Sequence, residues 1–125
     1  MLPAIFRLTK KRDFEILFSE GRFFGGKVIN AKVWKINPSN YPRRGYHIDD
    51  LKIGFVVGVK VSKSALKRNR AKRQMREVVR LLLKEQRLKT GYMMTFLAKP
   101  DILNANYAQI HEDIHALCGA GRLFV

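Results

Sequence analysis

The amino-acid sequence predicts a single α+β domain, and three observations lead there. A strand-like run, a long amphipathic helix and a second strand-like run follow one another through the middle of the chain, the pattern of a βαβ crossover. A further amphipathic helix is expected on either side of that unit. At 125 residues and 46% hydrophobic composition, the chain has the size of one domain and apolar material for one core. No internal repeat interrupts it, so residues 1–125 read as one domain.

Taken in order, Thr9 can cap a helix that begins with Lys10, carries Phe14, Leu17 and Phe18 on one side at i, i+3, i+4 spacing, and stops at Gly21. From Arg22 to Ile36 the residues turn aromatic and β-branched, as one long bent strand or as a hairpin turning at Gly25-Gly26. The stretch from Asn37 to Asp50 is dense in turn formers and reads as an exposed connection with no assigned role. Lys52 to Val61 reads as a strand buried on both faces. Ser62 or Ser64 then opens the longest periodic element, which runs to about Leu88 and ends before Thr90-Gly91. Tyr92 to Leu97 forms a further strand that Lys99-Pro100 breaks, and Asn104 or Asn106 starts a final helix through Leu117.

The charge is lopsided. The chain holds 25 Lys and Arg against 10 Asp and Glu, a formal net charge of +15. Small soluble domains commonly carry a net charge of magnitude ~2–8, and a larger surplus repels itself unless a polyanion neutralises it. Nucleic acid, an anionic membrane and an acidic protein are the candidates. The membrane is disfavoured, because no apolar stretch approaches the ~20 residues of a spanning helix and the basic helix carries no Trp or Phe on its apolar face. Met1 to Phe6 is too short for a secretory core and has no basic segment before it, and the lone Cys118 cannot form an internal disulfide. The expected compartment is the cytoplasm, and no protein partner is evident.

On a helical wheel Ala71, Met75, Val78, Val79 and Leu82 fall in one wedge, and Asn69, Lys72, Arg73, Arg76 and Arg80 fall opposite. Between Lys60 and Arg80, nine Lys and Arg stand against Glu77 alone, so the pairs of opposite charge that stabilise an ordinary exposed helix are missing. Arg predominates in the centre, where its planar fork suits phosphate oxygens, and the Asn69 amide can donate to a phosphate or a sugar hydroxyl. The run from Lys67 through Arg68, Asn69, Arg70 and Lys72 to Arg73 is therefore read as a nucleic-acid surface. The pattern alone leaves DNA and RNA open, and Lys-Arg-rich heptamers also arise as nuclear-localisation signals.

Two segments carry a resemblance that separates these. Arg7 to Gly21, with Leu8, Asp13-Phe14, Phe18 and the closing glycine, resembles the opening helix of the protein subunit of bacterial ribonuclease P. Arg68-Asn69-Arg70-Ala71-Lys72-Arg73-Gln74-Met75-Arg76-Glu77 resembles that family's Arg-Asn-Arg signature helix, and Ala98-Lys99-Pro100 followed by Tyr107 is a weaker echo. The resemblance implies a sheet of about four strands packed against three helices in the order αβββαβα, with the basic helix inside the βαβ crossover. It implies a ribonucleoprotein that removes the 5′ leader of precursor tRNA, in which the catalytic RNA holds the required Mg²⁺ and hydrolyses the phosphodiester. The protein would then carry no catalytic residue, and no metal is assigned to it. The resemblance matches Arg68, Asn69, Arg70, Lys72, Arg73 and Arg76 to the signature, and the charge pattern adds Lys60, Lys63, Lys67 and Arg80 as expected RNA-binding residues. The implied leader cleft holds Phe14 and Phe18, rings that either stack on unpaired bases or simply fill the core. Where the family often has an aromatic strand residue stands Lys32, with Trp34 two residues on as the substitute ring; the family's glycine-bearing turn before the signature is here Ser62-Lys63-Ser64.

Rival readings are weaker. His111-Glu112-Asp113-Ile114-His115 fits the His-Glu-x-x-His zinc pattern, but no His, Asp or Glu follows as a third ligand. The extended form of that motif also fails, because Cys118 stands where Gly is required and Gly121 where His is. An ordinary solvated helix is the preferred reading. The acidic neighbours Asp49-Asp50 and Glu112-Asp113 have no further acidic cluster between them to make a nuclease. A helix-turn-helix is disfavoured because the basic helix follows a strand. The main alternative is a non-catalytic basic RNA-binding module, of the ribosomal or small-RNA-binding kind.

Overall fold

Three helices and four strands follow one another in the expected order in the computed structural model, which describes residues 2–125. They are α1 (Lys11–Glu20), β1 (Arg22–Gly25), β2 (Ile29–Lys35), β3 (Leu51–Val56), α2 (Ala65–Lys84), β4 (Tyr92–Ala98) and α3 (Tyr107–Ala120). The sheet order is β1-β2-β4-β3. β4 runs antiparallel to β2 and parallel to β3, and α2 links the two parallel neighbours, so the βαβ crossover is present with the basic helix inside it.

Side-chain alternation gives the sheet two apolar faces. One buries Ile29, Ala31, Val33, Ile53, Met94 and Phe96 against α2 and α3. Ala71, Met75, Val78, Val79 and Leu82 are the buried residues of α2, the same five that share the wedge of the wheel. The other face buries Trp34, Ile36 and Met93 against Leu8, Ile16 and Leu17, with α1 lying across it. Ser64 caps α2, its Oγ accepting the Lys67 N–H at 3.4 Å. Asn106 opens α3 with a reciprocal capping box to Gln109.

Several expectations are corrected. Thr9 does not cap α1; the cap position is Lys10, with no side-chain hydrogen bond. β3 ends at Val56, and the chain turns at Gly58, where the Val61 N–H returns to the Gly58 carbonyl at 3.0 Å. The apolar run continues past the strand because Val57 and Val61 join the core below α2 while Gly58 to Lys60 remain exposed. Of the two readings of Arg22–Ile36, the hairpin is the one observed, and its turn is held from α3. Asp113, buried, accepts the Lys27, Val28 and Ile29 N–H groups at 2.9, 2.9 and 2.8 Å. A Cβ at Gly26 would lie 2.7 Å from the Asp113 carboxylate, so the turn needs glycine there.

The connection from Asn37 to Asp50 has a role after all. Its short helical turns at Pro38–Asn40 and Pro42–Arg44 set Tyr41 and Tyr46 edge-on to Trp34, with ring centroids 5.9 and 5.7 Å away. Arg44 and the Tyr46 hydroxyl each donate to Asp13 Oδ1 at 2.6 Å, and the Tyr41 hydroxyl donates to Glu20 at 3.0 Å. Burial and the Asp13 contact push the Tyr46 phenol above its ordinary range, so it stays a donor. The connection thereby fastens α1 at both ends over the sheet.

Candidate nucleic-acid interface

The core stripe of α2 begins at Ala71, so the turn before it, from Ala65 to Lys67, is exposed. Lys67, Asn69, Arg70 and Arg73 are exposed, and Lys72 and Arg76 are half-buried along one flank. Lys60 and Lys63 extend this surface from the exposed turn before the helix. Of the 25 Lys and Arg, only Arg12, Arg44, Arg80 and Arg87 form ion pairs among the described residues. The cationic face of α2 is therefore largely unneutralised by the protein itself.

Two of the sequence-predicted basic residues stand apart. Arg80 forks onto Glu77, with Nε and Nη2 donating at 2.9 and 2.7 Å, and these bonds hold the Glu77 carboxyl below its usual range. Its charge is met locally, so Arg80 is not the free cation that the wheel suggested. Arg68 donates through Nη1 to the Ser62 carbonyl at 2.9 Å and ties the preceding turn to the helix. In that turn the Ser62 hydroxyl accepts the Ser64 N–H at 3.1 Å, doing with a side chain what a glycine-bearing turn does with backbone freedom.

A groove lies between this helix, β3 and the segment that leads into α1. It is lined by Arg7, Leu8, Thr9, Gly54, Lys72 and Arg76, among others, with a volume of about 270 Å³. Phe14 closes over Gly54, where a Cβ would come within 2.8 Å of its ring. Phe18 lies 6.3 Å from Phe14, centroid to centroid, and is 41% exposed. One ring thus packs on the sheet while the other reaches solvent. The strand register then aligns Phe23, Lys32, Thr95 and Gly54 in one row across the sheet.

Within that row the two strand predictions are revised. Lys32 donates to the carbonyls of Phe18 and Gly21 at 3.1 and 3.4 Å, so it anchors the end of α1 beside the cleft. Trp34 is 6% exposed beneath Tyr41 and Tyr46 and has no face to offer a base. The substitute ring is better sought at Phe23, which is 59% exposed and pairs directly with Lys32. Period-2 alternation from Lys32 across a hairpin at Gly25-Gly26 could have pointed to it, had the hairpin register been known.

The histidine pattern on α3 is resolved by its neighbours. His111 and His115 stack at 4.0 Å, and His115 Nδ1 lies 2.8 Å from the His111 carbonyl. Burial first, then the neighbouring His115, lowers the His111 pKa. Asp113 between them turns inward to the hairpin. Among the described residues, no three His, Cys, Asp or Glu side chains group as a metal set.

A sequence model described as Ribonuclease P matches residues 2–120. The chain belongs to the ribonuclease P protein family. The ribonuclease P protein component of Synechococcus sp. (strain JA-2-3B'a(2-13)) is 34% identical over 125 residues, covering 100% of this chain and 88% of that one. That of Chloroflexus aurantiacus (strain ATCC 29366 / DSM 635 / J-10-fl) is 38% identical over 113 residues, covering 90% and 74%. Among solved structures, the Staphylococcus aureus RNase P protein superposes with a TM-score of 0.77 at 18% identity, covering 96% of this chain and 98% of that one. The Thermotoga maritima RNase P protein gives 0.70 at 23% identity, covering 89% and 93%. These likenesses establish that the sheet, the crossover and the flanking helices are the ribonuclease P protein fold. Among the described residues no helix is long and apolar enough to cross a membrane.

Proposed function

We propose that this chain docks on the catalytic RNA of ribonuclease P through the cationic face of α2 and receives the 5′ leader of precursor tRNA along the α1–sheet groove. The ribonucleoprotein would work in the cytoplasm. One observation carries the reading: cations of α2 line a groove whose wall residue Gly54 packs against Phe14, with Phe18 exposed beside that ring. Cations meet phosphates irrespective of sequence, and rings stack on any unpaired base, which suits a substrate whose leader varies. Phosphodiester hydrolysis is assigned to the RNA, whose Mg²⁺ supplies the metal-ion catalysis when bound. The work of this chain's own residues is to bind and to orient.

Affinity for precursor tRNA over mature tRNA, measured for the complex with the RNA, tests this. Phe18→Ala should cut that preference by the ~1–3 kcal/mol that base stacking on a ring contributes, while affinity for the catalytic RNA stays unchanged. A preference untouched by Phe18→Ala and by Phe23→Ala would remove the leader from this groove.

A further inference from the structure

On the flank of α2 away from α1 lies a second cleft, closed by the Pro100–Asn104 turn that follows β4. From its position and lining we infer that it is a pocket for a single unstacked nucleotide of RNA; the inference rests on the proposal that this chain binds RNA. Lys67, Arg70 and Gln74 occupy one flank of α2 at i, i+3, i+7, and Asn104 faces them from the turn. The floor is apolar, with Ala71 and Ile102 both buried, and Leu103 stands half-exposed at the rim. The volume is about 280 Å³. Sites for drug-sized ligands begin at ~300 Å³, so the ligand here is no larger than about a nucleotide.

Four polar side chains around this cleft are uncommitted. Lys67, Arg70, Gln74 and Asn104 make no ion pair among the described residues, and their side chains are engaged in no hydrogen bond there. Neighbouring basic residues differ: Arg68 is held by the Ser62 carbonyl and Lys99 by the Gly26 carbonyl. Two cations and no carboxylate line the cleft, which favours an anionic ligand over a cationic one. A phosphate alone would need only the two cations. The additional pair of amides, each with a donor and an acceptor, and the apolar floor match the edge and the face of a base. The turn that forms the wall is already built. Pro100 fixes its first turn, and the Ile102 and Ala105 N–H groups bond to the Lys99 and Ile102 carbonyls at 3.0 and 3.1 Å. Lys67 and Arg70 belong at once to this pocket and to the cationic helix, so an RNA lying on α2 can turn one unpaired residue into it.

The test titrates the full-length ¹⁵N-labelled protein with AMP, GMP, CMP and UMP, and separately with inorganic phosphate at matched ionic strength. At least one nucleotide should shift the side-chain amide signals of Gln74 and Asn104 and the Ala105 N–H saturably. It should do so about tenfold more tightly than phosphate, the worth of one or two hydrogen bonds plus base contact. Asn104→Ala should abolish that advantage and leave phosphate binding as it was, whereas Arg70→Ala weakens both. Nucleotides and phosphate acting alike, or nucleotides shifting signals elsewhere, would overturn the pocket. Wild-type binding of ribonuclease P RNA, run alongside, separates the two readings: RNA binding without nucleotide discrimination sinks the pocket alone, and no RNA binding sinks the proposed function with it.

Discussion

Removing the Asp113 carboxylate should unfasten the β1–β2 hairpin from α3, and the cost can be worked from its three bonds. The Ile29 N–H is buried and would be stranded, at ~1–3 kcal/mol, while the Lys27 and Val28 N–H groups are partly exposed and would lose only the net value of a bond, ~1 kcal/mol each. Asp113→Ala therefore costs about 3–5 kcal/mol out of a total stability of about 5–15 kcal/mol. For a domain of this size that lowers Tm by roughly 10–20 °C. Asp113→Asn should cost less, since its carbonyl oxygen keeps part of the set while its NH₂ is turned against a donor. Thermal melts by circular dichroism give the totals, and amide hydrogen exchange at Lys27, Val28 and Ile29 locates them. Loss of less than about 1 kcal/mol in Asp113→Ala, with hairpin exchange unchanged, would refute the brace. Zinc should stabilise neither the wild type nor His111→Ala; a zinc-dependent rise in Tm would restore the metal reading of this helix.

Two further outcomes follow from burial. Met75→Ala, at a fully buried site, should cost ~2–5 kcal/mol in a thermal melt, whereas Arg70→Ala should leave the melt unchanged and weaken RNA binding. Equal destabilisation by both would refute the two-faced helix. Burial pushes the Cys118 thiol up to about 12. The unfolded chain releases this proton near ~8.5, so the thiol's contribution to stability is whole below that pH and is lost as pH rises through the folded value. Iodoacetamide should accordingly label Cys118 in denaturant at mildly alkaline pH and not in the native protein; equal labelling rates would contradict its burial.

What the sequence made legible was whatever depends on local periodicity. The five core residues of α2 are a helical-period pattern, and a stripe of that kind survives any tertiary setting that buries one face. The crossover was legible because strand, helix and strand alternate, although β3 ends at Val56, before the apolar run does. Several of the misreadings concern contacts between distant residues. Asn37 to Asp50 advertises turns through its Pro, Asn and Gly, and nothing local reveals that Tyr46 and Arg44 will meet Asp13. Trp34 was placed on the cleft face correctly by alternation, yet that same connection covers it. Arg80 was read from the wheel without its i−3 partner Glu77, a pair within reach of sequence inspection. Asp113 looked like part of a histidine motif because its bonds, made across 84 to 86 residues of chain, leave no local trace.

The central claim is that this protein assists an RNA that performs the cleavage. Reconstitution with a bacterial ribonuclease P RNA at low Mg²⁺ measures it directly, by following release of the 5′ leader from precursor tRNA. Added protein should enhance cleavage at the mature 5′ end, and protein without RNA should release nothing. No enhancement with several such RNAs, or cleavage by the protein alone, would contradict the account.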